Sequence, residues 1–301
     1  MFTEKITNFA ALADGKDLKI ARDCEFSYVG KVPTNLPRRL VPCATRDHID
    51  TASSIPEVAG IITTPELAEC VPAHLGLALA TDPVATAIAL HEALCAIPDF
   101  HWQRFATVIH PSARIHPSAM IAEKDVVIGA DTVIHAGAIV LPRVIIAEGC
   151  SIGPGTVVGT DAFEVNTHVS PHRIVRQAGG VRIGAFVDIQ ANCTIVRATF
   201  GGFTEIGAES KFDCQVHLAH DCRVGRSVRI AACAEISGRV TIGDASFIGP
   251  NSSISNGLEI GAGAHVTLGA VVVKDVAANT RVSGNFAIAH DKFITHIKTL
   301  R

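Results

Sequence analysis

The sequence predicts a mainly β protein: a parallel β-helix with a small α/β domain before it and a short helix after it. Three observations carry this prediction. Over residues 206–272 an apolar residue recurs every six positions without a slip, at Ile206, Phe212, Leu218, Val224, Ile230, Ile236, Ile242, Ile248, Ile254, Ile260, Val266 and Val272. Gly follows many of these anchors, as at Gly207, Gly225, Gly243, Gly249 and Gly261, and a small or apolar residue stands four positions on, as at Cys222, Ala234, Val240, Ser246 and Ala264. The first 105 residues lack this period and mix helical with strand patterns. A short fixed period marks a solenoid, whose coils stack strand on strand at about 4.7–4.9 Å. The anchors fill the interior and glycine eases the tight corners.

Taken in order, residues 8–13 read as a short helix, and residues 60–63 and 77–80 as short buried strands. Asp82-Pro83 opens a helix, Asp82 as cap and Pro83 in the first turn. Its apolar stripe is Val84, Ala87, Ile88, His91, Leu94 and Cys95, and Pro98 ends it. His91 on that stripe reads as a packed histidine rather than a ligand. Residues 101–105 form the junction, where Trp102 and Phe105 are expected to pack the first domain onto the first coil.

The period starts at Ile109, Ile115 and Ile121, slips by one residue, and continues through Ile128, Ile134, Val140, Ile146, Ile152 and Val158. Residues 164–180 break it. An insertion in a solenoid projects as a loop, often on the binding face. Its histidines and arginines suit either a phosphate or packing on a neighbouring subunit. The period returns at Ile183, Ile189 and Ile195, and a five-residue bulge near Phe200-Gly201-Gly202-Phe203 precedes Ile206. After Val272 the chain is expected to leave the solenoid, with residues 288–300, carrying Ile288, Phe293, Ile294, Ile297 and Leu300, forming a capping helix.

The net charge is −3 with no basic run, which points away from nucleic acid and anionic membrane surfaces. There is no run of about 18 apolar residues that would span a membrane, and the first residues do not read as a signal peptide. The nine cysteines are odd in number and contain no Cys-x-x-Cys pair. Cys150, Cys193 and Cys222 fall at small interior positions, so they are expected to be buried thiols in a reducing, cytoplasmic setting.

Within the array lies Asp213-Cys214-Gln215-Val216-His217-Leu218-Ala219-His220-Asp221. Packing does not require two histidines three apart flanked by two acids. A neutral imidazole, with an unperturbed pKa of about 6.5, suits a general base that deprotonates an amine or hydroxyl attacking an acyl group. A carboxylate, Asp213 or Asp221, would fix its tautomer. With eighteen residues per coil, Gly238 stands one coil above His220 and offers an N–H for an oxyanion. Two other readings remain at this stage: both histidines are solvent-facing corner residues, or they bind a metal.

The segment Gln215-Val216-His217-Leu218-Ala219-His220-Asp221-Cys222 resembles the active-site segment of the hexapeptide acyltransferases of lipid A biosynthesis. The layout is similar to that of the family's UDP-3-O-acylglucosamine N-acyltransferases. That resemblance implies a left-handed β-helix over residues 106–277, a uridine-type nucleotide-sugar domain over 1–105, and a tail and helix over 278–301. It implies transfer of an acyl group from acyl carrier protein to the amino group of a UDP-glucosamine-type sugar by a homotrimer, with sites between subunits. No cofactor or metal is implied beyond the thioester donor. His220 matches the family's base, Asp213 the acid preceding it, and Gly238 the oxyanion donor, while His217, Asp221 and Asn256 are expected to bind substrate. The chain departs from the pattern at Gly257, where the family has a second histidine, at Thr194-Ile195-Val196-Arg197-Ala198, at Asp161-Ala162-Phe163-Glu164, and near residues 40–45, where an aromatic uridine clamp is expected. Alternatives are an O-acyl or short-chain, coenzyme A-dependent transferase on another nucleotide sugar, and a solenoid that binds without catalysing.

Overall fold

The computed structural model describes residues 1, 3–13, 15–33, 36–284 and 286–299. The N-terminal domain is one five-stranded sheet with helices on both faces. Its strands are β1 (Lys19–Arg22), β2 (Tyr28–Val29), β3 (Arg39–Pro42), β4 (Val58–Thr63) and β5 (Gly76–Leu79), in the order β1-β5-β4-β3-β2. All pairs are parallel except β1 with β5. Alternate residues face opposite ways. Leu40, Ile62 and Ala78 therefore join one core with α1 (Phe9–Leu12) and α3 (Pro83–Ala96), while Val41, Ile61 and Leu77 join another with α2 (Arg46–Ser53). Asp82 caps α3 as expected, accepting from the N–H groups of Val84 and Ala85 through Oδ1. Sequence reasoning placed β4, β5, α1 and α3, but not β1, β2, β3 or α2.

The repeats form three parallel sheets, the faces of a prism. The first face begins at Val108–Ile109, the second at Arg114–Ile115 and the third at Met120–Ile121. Successive coils pair anchor on anchor: Leu218 opposite Ile236, and Ile236 opposite Ile254. The interior is a single apolar column of Ile, Val, Leu and Phe212 with Cys150, Cys193 and Cys222 among them. Ile109 stays exposed because no coil covers it from below. The solenoid also runs further than expected, since Arg281–Val282 pairs with His265–Val266.

Val158 pairs with Ile195 and Ile195 with Leu218, so the anchors stay aligned across the insertion and the bulge, with one local register shift between Val158 and Thr160. Both emerge where the third face turns into the first. The insertion folds as a hairpin of Val165–Asn166 against Arg173–Ile174. Within the chain it takes a third partner. His168 meets Asp82 at 2.7 Å, Arg173 meets Glu92 at 2.5 Å and Glu164 meets Lys31 at 2.6 Å, so the hairpin clasps the N-terminal domain of its own chain. Ile88 of α3, Val175 of the hairpin and Phe200 of the bulge share a small buried cluster.

Trp102 is buried, stacked on Phe105 and edge-on to Phe203, so it packs on the coil that carries the bulge as well as on the junction. His91 is fully buried as a packed residue, edge-on to Phe200. The helix α4 (His290–Thr299) forms, but Ile288, Phe293 and Ile294 remain exposed and do not pack on the solenoid end; Asn285, Leu300 and the Ile297 side chain lie outside what the structure describes. Among the described residues no helix is long and apolar enough to cross a membrane.

Candidate active site

His220 sits at the corner between Leu218 on the third face and Arg223 on the first, on the edge that also carries the hairpin and the bulge. The next residue, Asp221, has φ 59, a left-handed turn that aspartate tolerates better than most side chains. Its N–H donates to Thr204 Oγ1 at 2.9 Å, which pins the turn to the coil below. The Asp221 Oδ2 then lies 2.8 Å from His220 Nδ1. Both side chains are mostly covered, 14% and 19% exposed, so water screens this pair weakly. A carboxylate accepts only, so Nδ1 carries the proton and Nε2 keeps its lone pair.

Gly238 lies against the Cε1–Nε2 edge of that ring. A Cβ at this position would stand 2.6 Å from both Cε1 and Nε2 of His220. The glycine is therefore required by space, not by its backbone angle. Among the described residues its N–H has no hydrogen-bond acceptor. Asn256 continues the column: its Oδ1 would be 3.1 Å from the same Cβ, and its side chain faces solvent. A base, a bare N–H and an amide are thus stacked at one edge, one per coil.

Not every expected residue joins this group. Asp213 stands at a different edge, between the second and third faces, and its Oδ1 accepts from the Cys214 N–H at 2.7 Å. Within the chain the carboxylate on His220 is that of Asp221, the residue expected to bind substrate, and not Asp213. His217 points outward from the third face, 36% exposed, with Nε2 3.8 Å from Glu235. The two histidines take different carboxylates, Glu235 for His217 and Asp221 for His220.

Two cavities share Lys31, and one of them reaches the column. One, of about 400 Å³, opens beside the end of β3 and is lined by Val41, Pro42, Cys43 and Ala44 with His48 and Thr51 of α2. Ends of parallel strands are where α/β sheets take ligands. Its walls are mostly aliphatic, and the one aromatic ring among its described lining residues is the His48 imidazole. The other, of about 200 Å³, lies between the N-terminal domain and the bulge and reaches Asp221. Sequence reasoning missed the second cavity and its three arginines, Arg39, Arg182 and Arg239. The one signal available was Arg39 inside an otherwise apolar strand.

Elsewhere, His91, Cys95 and His101 bring their ligand atoms within 4.8 Å of one another, the described group best suited to a metal. His91 Nε2 is already bonded to the Arg176 carbonyl at 2.8 Å.

The chain carries a bacterial transferase hexapeptide repeat. That family (six repeats) matches residues 125–160. The chain is 39% identical over 93 residues to the UDP-3-O-acylglucosamine N-acyltransferase of Maricaulis maris, covering 31% of this chain and 27% of that protein. The protein of the same name from Hahella chejuensis is 39% identical over 92 residues, covering 31% and 26%. The matches thus span about a quarter of the length of these curated relatives. Among solved structures, the Arabidopsis UDP-N-acetylglucosamine acyltransferase superposes over 60% of this chain and 70% of its own with a TM-score of 0.50 at 23% identity, a likeness of fold.

Proposed function

We propose that the chain is an acyltransferase that moves an acyl group from an acyl carrier protein thioester to the amino group of a UDP-glucosamine-type sugar nucleotide, as in lipid A biosynthesis. One observation carries this reading: His220 sets Nδ1 2.8 Å from the Asp221 carboxylate and its Cε1–Nε2 edge against Gly238. The acceptor amine is placed with an N–H toward Nε2. As its nitrogen attacks the thioester carbonyl, Nε2 takes the proton and the Asp221 carboxylate stabilises the imidazolium. The carbonyl electrons move onto oxygen, and the bare Gly238 N–H receives that oxyanion. Collapse restores the carbonyl, expels the thiolate and returns the proton to it, leaving an amide and a free thiol.

The aliphatic cavity at the end of β3 is the proposed seat of the nucleotide, held without an aromatic clamp. Binding energy from that remote end helps to hold the amine in attack geometry. The protein is proposed to be a cytoplasmic homotrimer. The described cysteines are all free, as a reducing compartment favours. Leu268, Val271 and Val273 lie exposed together near the solenoid end, an apolar surface that closed association covers. In such a trimer Asp213 serves a His220 only across a subunit boundary.

The test is a donor and acceptor screen on the full chain: acyl carrier protein thioesters against coenzyme A thioesters, each with amino-sugar and hydroxyl-sugar nucleotides. Thiol release with amide formation on the amino sugar is expected. Ester formation on the hydroxyl sugar with no amide would replace the N-acyl reading by the O-acyl one. No thiol release from any donor would overturn the enzyme.

A further inference from the structure

We propose that the cavity between the N-terminal domain and the bulge binds a phosphate group, held by Arg39 and Arg239. The cavity reaches Asp221, so a ligand in it adjoins the catalytic edge. It is lined by four cations, Lys31, Arg39, Arg182 and Arg239, and by two acids, Glu205 and Asp221. Most of these charges are already paired. Lys31 meets Glu164 at 2.6 Å, Arg182 meets Glu205 at 3.0 Å, and Asp221 is committed to His220 at 2.8 Å. Arg39 and Arg239 are left with no carboxylate of their own.

Both are incompletely satisfied. Arg39 is 3% exposed; its Nη1 reaches the Lys31 carbonyl at 3.3 Å, and its Nε has no acceptor. The Tyr28 ring, 6.0 Å from Cζ, offers a face but no lone pair along the N–H directions. In Arg239 both Nε and Nη1 are buried with no acceptor. A buried donor without an acceptor costs about 1–3 kcal/mol, and more when the group is charged. Burial lowers the Arg39 pKa to about 10, so it is still a cation at neutral pH.

Two planar forks from different domains need more acceptor atoms than the two oxygens of one carboxylate. A phosphate has enough oxygens for both, and guanidinium forks match it bidentately. At about 200 Å³ the cavity is smaller than pockets for whole drug-sized ligands, which start near 300 Å³, so it takes the phosphate-bearing part of a larger molecule. Two molecules carry such a group if the acyltransferase reading holds, and only the naming of them rests on that reading. They are the diphosphate of a nucleotide-sugar acceptor and the phosphate of a phosphopantetheine donor. Lys31, shared with the aliphatic cavity, favours the acceptor.

The test is titration calorimetry on the full chain with inorganic pyrophosphate, UDP, 4′-phosphopantetheine and, as a phosphate-free control, uridine. Pyrophosphate and UDP are expected to bind, and Arg239→Met to weaken both by about 10–100-fold, the loss of a charge-assisted bond. Arg39→Met should do the same. If that variant fails to fold, Arg239→Met decides with Arg239→Lys, which keeps the charge and recovers part of the affinity. The surface variant Arg226→Met should bind like the parent. Without ligand, Arg239→Met should melt higher than the parent, because the orphaned guanidinium is gone, and excess pyrophosphate should reverse that order. A loss confined to 4′-phosphopantetheine supports the site and assigns it to the donor. Unchanged affinity of Arg239→Met for pyrophosphate, UDP and 4′-phosphopantetheine alike, or no phosphate binding by the parent, overturns it. Binding is read without turnover, so the two proposals fail separately. Phosphate binding with no acyl transfer keeps the pocket and removes the enzyme. Transfer unaffected by Arg239→Met, with no phosphate binding, does the reverse.

Discussion

At the scale of single residues the site is a column, and each member has its own expected signature. His220→Ala should fold normally and lose about 10²–10⁴-fold in kcat, the usual worth of a general base. Circular dichroism and a turnover assay check both halves of that statement. Gly238→Ala should be nearly as damaging, about 100-fold, because its methyl would need the place of the imidazole edge at 2.6 Å, and an ångström of misplacement costs on that order. Asp221→Asn and Asp213→Asn separate the two acids. In a stable monomer only the first should lower kcat, whereas in a trimer with shared sites both should. Much of this column was legible before the fold was seen, since eighteen residues per coil place Gly238 over His220. The choice between acids was not. Asp221 reaches the imidazole through a left-handed turn and a bond to Thr204, and neither follows from spacing.

At the scale of elements, the contact between α3, the junction and the hairpin is sensitive to acid. Burial is the first cause for both of its histidines and lowers His91 to about 4 and His101 to about 3. Unfolded, each would titrate near 6.5, so on acidification the unfolded chain takes up protons first. Their contribution is whole above about pH 6.5 and is lost as pH falls from there toward 4 and 3. Each histidine removes up to about 1.4 kcal/mol per pH unit in that window. Urea midpoints at pH 7 and pH 5 should show this fall, and His101→Phe, which keeps the stacking on Tyr28, should reduce it by about half. An equal fall in the variant would assign the effect elsewhere. The repeats themselves were legible because every anchor obeys one local rule. The hairpin and β3 were not, because their partners lie in another part of the chain: Arg173 needs Glu92, and Arg39 is explained only by a cavity whose far wall is Arg239.

At the scale of the whole molecule, the N-terminal domain, the hairpin, the bulge and the His220 column share one edge of the prism. The proposed trimer would use that asymmetry, with undecorated solenoid flanks meeting. Light scattering after gel filtration should give three times the chain mass of 31.6 kDa at micromolar concentration. A chain-mass species that retains full activity would remove the trimer and the cross-subunit role of Asp213 together.

The stacking register also sets how this gene can change length. Each coil is an interchangeable stratum, because Leu218, Ile236 and Ile254 meet their neighbours through the same bonds. Duplicating eighteen residues beyond Ile260 would lengthen the shaft by about 4.8 Å and leave the edge chemistry in frame. The same duplication between Ile206 and Leu218 would raise His220 one storey away from the Tyr28 and Leu36 contacts at Gly201 and Gly202. Indels should therefore be tolerated toward the C-terminal end and excluded from the strata that the N-terminal domain spans.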